Sequence, residues 1–262
     1  MRFKPQTGVK RRAALAMFSA SLLAASAGQA LAQDAPRRFA AISLIGNDIT
    51  SVSQQSVTGT KLDRNLRDSF TVPGNLFDLE ALGALNEAVV KADPKAVVLM
   101  LKLPSADIFG PPDQLFDGDK FLLPAALAPA LKQTAATHLL IVTRLRAQAN
   151  IKTAREGIGA GMLEGLGFYV NNEQYMQRTE SSEVSIGYLA PFTYVKLTLV
   201  NLATGKVERT RQIAHAQEVS SERKEGLSNP WDFLTTVEKV QLLRQMLNAQ
   251  IKAAVPALIA QP

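Results

Sequence analysis

The chain has 262 residues, of which 47% are hydrophobic, with 29 basic and 23 acidic residues and no cysteine. The absence of cysteine excludes a disulfide framework, thiol catalysis and a cysteine-ligated metal. The length and hydrophobic content are sufficient for a domain with a substantial buried core.

Residues 1–32 have the three parts of a secretory signal peptide: a positive start, an apolar run and a small-residue pattern that ends at Ala32. The apolar run, residues 13–28, is shorter than the ~20 residues that a membrane helix requires. We therefore predict export and cleavage after Ala32, with the periplasm of a bacterium with two membranes as the compartment. Because a lipoprotein needs a cysteine at this site, lipidation is excluded.

The basic character of the chain comes largely from this leader. Five basic residues and no acidic residue lie in residues 1–32, so the remainder has 24 basic and 23 acidic residues, a net charge of +1. Nucleic-acid binding depends on a concentrated positive charge. We therefore expect no nucleic-acid partner.

The first predicted elements follow a polar lead-in, residues 33–38, that is expected to be disordered. The apolar run 39–45 predicts a buried strand, because turn-forming residues follow it directly. Residues 58–74 are polar and mixed in charge, which predicts a loop. Asp78 is placed to cap a helix that runs to about Ala92. Residues 96–103 then predict a second apolar strand, which ends before a proline.

The middle of the chain predicts another helix and three strands. The helix is expected from about Lys120 to Thr134, with a proline tolerated in its first turn. The apolar runs 138–146 and 194–202 predict central strands. Residues 206–213 return after an Ala-Thr-Gly turn as the second strand of an antiparallel hairpin.

The last segment has the clearest helical pattern. Asn229, Pro230 and Asp232 suit a helix start as the cap, the first-turn proline and the first-turn acid. Apolar residues then recur every three or four positions, which predicts one face packed on a sheet. These residues are Leu234, Val237, Val240, Leu243, Leu247, Ile251, Ala254 and Leu258. Pro256 is expected to kink or end the helix.

These elements predict a single α/β domain over residues 39–262, with α+β as the alternative. We expect a mixed sheet of about five strands, packing helices and a C-terminal amphipathic helix. Between the two central strands lies a long glycine-rich excursion, residues 147–191. It is expected to project as an arm or to form a hairpin insertion.

Candidate catalytic and metal-binding residues are few. The two histidines, His138 and His215, lie 77 positions apart, and neither has a neighbour at metal-ligand spacing. Ser221 and Lys224 match Ser-x-x-Lys, but the partner motifs of that enzyme class are absent. The glycines of residues 157–167 have neither dinucleotide-binding nor P-loop spacing. We therefore assign no catalytic, cofactor-binding or metal-binding residue.

The excursion carries the only candidate contact surface. Its apolar and aromatic side chains lie among glycines, a combination that suits a partner groove or, for residues 157–170, peripheral contact with a membrane. The alternative is that the segment folds back as an extra hairpin and covers a sheet edge. The candidate contact residues are Ile158, Met162, Leu163, Leu166, Phe168, Tyr169, Tyr175 and Tyr188.

The order of elements resembles a group of small periplasmic α/β domains. An alanine-rich helix end, residues 135–138, leads into an apolar strand, and Asn201-Leu202-Ala203-Thr204-Gly205-Lys206-Val207 matches a polar hairpin turn between two strands. This arrangement over residues 39–255 is similar to TolB amino-terminal, CsgG-like and LpoB-like domains. The long excursion and the missing lipid-attachment cysteine depart from that pattern. Those domains bind envelope proteins and are not enzymes, so the resemblance implies an adaptor.

Two functions from different classes follow. The first is a non-catalytic periplasmic interaction protein whose partner is an envelope protein. The second is a small-ligand-binding protein or hydrolase whose polar groups converge in a pocket that spacing does not show. A cleft that holds His138 or a carboxylate pair favours the second, and an arm that stands clear of the body favours the first.

Overall fold

A computed structural model describes residues 36–55, 65–103, 109–152, 157–177, 184–219 and 229–260. For residues 173–177 and 184–186 it describes the backbone only. The expected signal peptide therefore lies outside the described residues. The helices are α1 (Leu76–Ala92), α2 (Ala128–Thr134) and α3 (Thr236–Ile259). The strands are β1 (Arg38–Leu44), β2 (Asp48–Ser53), β3 (Leu66–Thr71), β4 (Val97–Met100), β5 (Phe116–Asp117), β6 (Lys120–Phe121), β7 (His138–Arg144), β8 (Arg146–Gln148), β9 (Ile151–Lys152), β10 (Gly157–Ile158), β11 (Met162–Gln177), β12 (Val184–Asn201) and β13 (Lys206–Ala216).

The architecture is mixed α/β, as predicted, but the sheet is larger than predicted. Among the described residues it has 11 strands rather than about five, and β9 and β10 form a separate pair. Most of the additional strands are short or polar, and hydrophobic periodicity does not detect such strands. Three pairings are parallel, β1 with β4, β1 with β7, and β2 with β11.

The long strand β12 organises the sheet because different partners pair with its two halves. On one side, β11 pairs with residues 184–194 of β12 and β7 with residues 195–201. On the other side, β13 pairs with residues 192–201. One branch of the sheet therefore continues from β11 through β2 to β3, and another from β7 through β1 to β4. β3 and β4 are the outermost strands of these two branches.

The central strands β1 and β7 are buried on both faces, which explains their continuous apolar sequences. Alternate residues enter two different hydrophobic clusters. Phe39 and Leu140 belong to the cluster beneath α1 and α3, whereas Ile42 and Ile141 belong to the cluster on the α2 side.

A third cluster covers the other face of the β11–β12 hairpin. Tyr169 stacks on Tyr188 with ring centroids 6.2 Å apart, and Phe192 contacts Tyr194 edge to face at 5.8 Å. The hydroxyls of Tyr169 and Tyr194 contact the end of β8 and the chain beyond it. The Ala160 amide donates to Tyr169 Oη at 3.0 Å, and Tyr194 Oη donates to the Gln148 carbonyl at 3.2 Å. The glycine-rich excursion therefore packs on the sheet through this cluster.

Two of the helices, α2 and α3, begin later than predicted. The expected helix 120–134 is reduced to Ala128–Thr134, because Lys120 and Phe121 form β6. Asn229 accepts from the Trp231 amide and begins a 3-10 helix, Pro230–Phe233, rather than α3. Instead, Thr235 begins α3 through reciprocal hydrogen bonds with Glu238, a capping box.

The C-terminal end of α3 is bound by arginines. Arg37 Nη1 donates to the Ile259 carbonyl at 2.7 Å, and Arg209 donates to the Ala260 carbonyl. Arg37 also holds Asp93 at 2.8 Å. Positive groups are favourable here because the last carbonyls of a helix lack intrahelical partners. The helix continues past Pro256 to Ile259, so it does not end at this proline.

Candidate interaction site

The predicted contact residues of the excursion are mostly inside the protein. Leu163, Leu166, Phe168, Tyr169 and Tyr188 are no more than 2% exposed. They offer no surface to a protein partner or a membrane in this structure.

Of the other three predicted contact residues, two are half-buried and one has a side chain that the structure does not describe. Ile158 and Met162 are half-buried, and Ile158 packs against the tyrosine cluster. The side chain of Tyr175 lies outside the description. Residues 162–177 and 184–201 form an antiparallel hairpin whose first strand also pairs with β2, so its base lies within the sheet.

The exposed edge of the sheet lies instead at β3, whose six residues are all exposed. The Val72 amide donates to the Asn47 carbonyl at 2.9 Å. Because hydrogen-bonding direction alternates along an antiparallel strand, the amides of Arg67, Ser69 and Thr71 point away from β2. Within the described part of the chain, no strand pairs with this outer edge.

Large apolar side chains accompany these outward-pointing amides. Leu66 is 59% and Phe70 49% exposed. Leu66, Asp68 and Phe70 lie two positions apart along β3, so their side chains share one face of the sheet. Phe70 contacts Trp231, which packs on the cluster beneath α1 and α3, so this is the face that carries those helices. Phe70 stacks on Trp231, with ring centroids 5.5 Å apart, and Trp231 meets the buried Phe168 edge to face.

A cleft of about 200 Å³ lies between this strand and Trp231. Its lining combines hydroxyl, amide, carboxylate and aromatic groups. The lining residues are Ser51, Ser53, Asp68, Phe70, Val170, Asn172, Asn229 and Trp231.

The wall of the cleft is held by a buried lysine. Lys239 is 7% exposed, its Nζ lies 4.3 Å from the centroid of the Trp231 ring, and it donates to the Leu234 carbonyl. Burial lowers the pKa of Lys239, while the charges of Asp232 and Glu238 oppose that shift. The cation therefore fixes the indole from within the protein.

Sequence reasoning missed this site. Residues 58–74 were predicted to be a loop, because Arg67, Asp68 and Ser69 interrupt the apolar pattern. The available signal was weak: Leu66 and Phe70 are apolar and lie four positions apart, which places them on one face of a strand. Trp231, the only tryptophan of the chain, was read as part of a helix start.

His138 is part of a polar chain of contacts at the opposite end of the sheet. Its Nδ1 lies 2.8 Å from Thr137 Oγ1, and its Nε2 lies 3.4 Å from Glu208 Oε2. The Thr137 hydroxyl also donates to the Arg38 carbonyl at 3.1 Å. The Arg38 carbonyl and His138 Nδ1 therefore lie within hydrogen-bond distance of the same hydroxyl, which has a single proton to donate.

The histidines lie outside the two cavities found among the described residues. Neither the cleft beside Trp231 nor a second cavity of about 380 Å³ beside Arg37 is lined by His138 or His215. Among the described residues, no group of three or more histidines and carboxylates could hold a metal ion. In the same part of the chain, no helix is both long and apolar enough to span a membrane.

Comparison with protein-family models finds no match, and neither does comparison with curated proteins. Solved structures with a distant likeness include a Helicobacter pylori protein described as a homologue of neuraminyllactose-binding hemagglutinin, at 8% identity over 87% of each chain with a TM-score of 0.41. The hypothetical protein CT253 of Chlamydia trachomatis is 13% identical, covering 86% of this chain and 99% of that one, with a TM-score of 0.35. Protein XCC0632 of Xanthomonas campestris is 9% identical over 86% and 91%, with a TM-score of 0.29. With TM-scores below 0.5, these likenesses carry no argument about function.

Proposed function

We propose that this protein is a non-catalytic interaction protein of the cell envelope, exported to the periplasm, which binds an extended segment of an envelope protein along β3. The observation that carries this proposal is the outer edge of β3, where outward-pointing amides such as those of Ser69 and Thr71 lie beside the exposed side chains of Leu66 and Phe70. A strand added to such an edge gains main-chain hydrogen bonds, and adjacent pockets select its side chains.

The other outer strand is less suited to this role. β4 has four residues against six in β3. It also exposes apolar side chains, since Val97 is 39% and Met100 51% exposed. However, neither cavity is lined by residues of β4, whereas Asp68 and Phe70 of β3 line the cleft beside Trp231.

An exposed sheet edge needs protection from unspecific pairing. β3 carries Arg67 and Asp68 in its middle. If two copies paired antiparallel about the centre of the strand at Asp68, the two carboxylates would lie directly opposite each other and repel. The charges therefore disfavour self-association while leaving the backbone groups available to another sequence.

The test is site-specific photo-crosslinking of the exported protein in its host. A photo-reactive residue replaces Leu66 on β3 or, as the matched control, Met100 on β4, which is comparably exposed. We expect a discrete envelope-protein adduct from position 66 and none from position 100.

A second pair of variants tests whether the adduct depends on strand pairing. Proline at position 69 removes an amide that points outward and leaves the bonds to β2 in place, because proline is tolerated on the solvent side of an edge strand. Ser69→Pro should abolish the adduct, and Ser69→Ala should preserve it. An adduct unchanged by Ser69→Pro, or equal adducts from positions 66 and 100, would contradict binding along β3.

A further inference from the structure

The cleft beside β3 has the size of a side-chain site. Its volume is about 200 Å³. Sites for cofactors and drug-sized ligands commonly have about 300–1,000 Å³. One long side chain of a bound segment is therefore a better match than an independent small molecule.

The lining selects the charge of that side chain. Asp68 is the only charged residue among the described residues that line the cleft. The hydroxyl oxygens of Ser51 and Ser53 and the amide oxygen of Asn172 provide further acceptors. A cationic group with several N–H donors finds partners here, whereas a carboxylate would face Asp68.

One aromatic wall of the cleft also suits a cation. The Trp231 ring is already occupied by the Lys239 ammonium, 4.3 Å from its centroid, so Phe70 is the aromatic surface that can serve a bound cation. Phe70 is the more exposed aromatic wall, at 49%. Aromatic faces attract ammonium and guanidinium groups by about 0.5–1 kcal/mol at accessible sites.

The direction of the side chains connects the cleft to the edge of the sheet. Asp68 and Phe70 alternate with the outward-pointing amides of Arg67, Ser69 and Thr71. In a segment paired with these amides, every second side chain points to the face that carries the cleft. The neighbouring charge of Arg67 does not enter the cleft, because Arg67 Nη2 donates to the Met162 carbonyl at 2.9 Å.

Resting on the proposed function, we infer that the cleft binds a lysine or arginine side chain of the extended partner segment, with Asp68 as its counter-ion and Phe70 as its aromatic wall. The partner is thereby defined as a strand-forming sequence with a basic residue at a fixed position.

The test begins with a phage-displayed library of random ten-residue peptides, selected against the mature protein and counter-selected against its Ser69→Pro variant. Peptides whose binding depends on the open edge are then synthesised with the basic residue replaced by norleucine or glutamate. Trp231 is the only tryptophan of the chain, so its fluorescence reports binding at the cleft directly.

A double-mutant cycle tests the contact itself. We expect Asp68→Asn to weaken binding of the basic peptide roughly fivefold, as for an accessible ion pair. Replacement of the basic residue by norleucine should weaken binding to the wild type more than binding to Asp68→Asn, since the counter-ion is then absent. Asp113→Asn, an exposed acid on a separate 3-10 helix, is the matched control and should leave the affinity unchanged.

The outcomes separate the two proposals. If the selected peptides lose binding to the Ser69→Pro variant but have no preference for a basic residue, or no energetic coupling between that residue and Asp68, they overturn the cation site. The proposal of strand addition is then unchanged. If the selection yields no peptide that distinguishes wild type from Ser69→Pro, both proposals are overturned.

Discussion

Gly167 lies where β11 approaches its neighbours most closely. A Cβ at this position would overlap the Thr50 carbonyl of β2 and would lie 2.6 Å from Phe192 Cζ. The residue is therefore required for close packing of β2, β11 and the aromatic cluster rather than for loop flexibility. The sequence indicated only a glycine-rich excursion here, because spacing does not reveal what lies beside each glycine.

We predict that Gly167→Ala destabilises the protein by about 1–3 kcal/mol, the usual cost of an overpacked interior. Gly83 in α1 is the control, since nothing lies within 4 Å of an added Cβ there. Gly83→Ala should stabilise by about 1 kcal/mol through helix propensity. Urea unfolding of both variants measures the difference, and equal effects would show that β11 does not pack as described.

The two histidines make stability depend on pH. Burial lowers the pKa of His138 and of His215, and Arg37 and Lys152 respectively add to the shift, while Glu208 opposes it at His138. The folded protein therefore binds fewer protons than the unfolded chain below about pH 6.5. Stability contributed by the neutral imidazoles is complete above that pH and is lost as pH falls toward the folded-state pKa values.

The expected result is a free energy of unfolding that decreases from pH 7 to pH 5 more steeply in the wild type than in the His138→Gln/His215→Gln double variant. Because the chain contains only these two histidines, the difference between the two profiles isolates their titration. Denaturant unfolding at several pH values measures it. A double variant with the same pH profile as the wild type would contradict the lowered pKa values.

At the scale of elements, the start of α3 is a clear case of two competing signals. Asn229-Pro230 has the composition of a helix start, and its amide oxygen does accept from Trp231. Five residues after Pro230, Thr235 forms the complete capping box with Glu238, in which the Glu238 carboxylate accepts from the Thr235 amide at 2.7 Å. The first signal produces one 3-10 turn, and only the second begins the long helix.

We predict that Thr235→Ala destabilises the protein by about 1 kcal/mol, the usual cost of a lost N-cap. Thr236→Ala, one residue further on and also exposed, should have little effect. Thermal unfolding followed by circular dichroism measures both variants. A larger loss for Thr236→Ala than for Thr235→Ala would place the helix start elsewhere.

Apolar elements were more predictable than polar ones, although the largely polar hairpin strand 206–213 was expected and corresponds to β13. The helical pattern of α3 correctly indicated Leu243, Leu247, Ile251 and Leu258, all of which are fully buried. The same pattern included Val237, which is 74% exposed because it lies in the first turn, beyond the covered part of the sheet. β3 was missed, since an edge strand needs no continuous apolar face to pair with its neighbour.

At the scale of the molecule, the branching of the sheet at β12 is beyond local sequence signals. Each half of this strand has a continuous apolar sequence, which shows that it is buried but not which strand lies beside it. The parallel pairing of β2 with β11 joins residues more than 100 positions apart. The site at β3 exists only because that pairing places β2, and therefore β3, beside the excursion, which was expected to form either a projecting arm or a hairpin insertion.

The outer edge of β3 makes a last prediction, which concerns the isolated protein. In hydrogen exchange followed by NMR, the amides of Arg67, Ser69 and Thr71 should exchange rapidly, since they point to solvent. The amides of Asp68 and Phe70, which point to β2, should be protected. Amides in the second half of β12, between β7 and β13, should exchange most slowly, because opening them requires the sheet to separate.

The dependence on concentration decides what this pattern means. If the amides of Arg67, Ser69 and Thr71 are unprotected at every protein concentration, the edge is open and available to a different chain. Protection that increases with concentration would show that copies of this protein pair through β3, and binding of an envelope partner there would then have to displace a second copy. Protection that is high and independent of concentration would contradict an open edge. The functional proposal therefore depends on three amides in one short strand, and their exchange can be measured before any partner is identified.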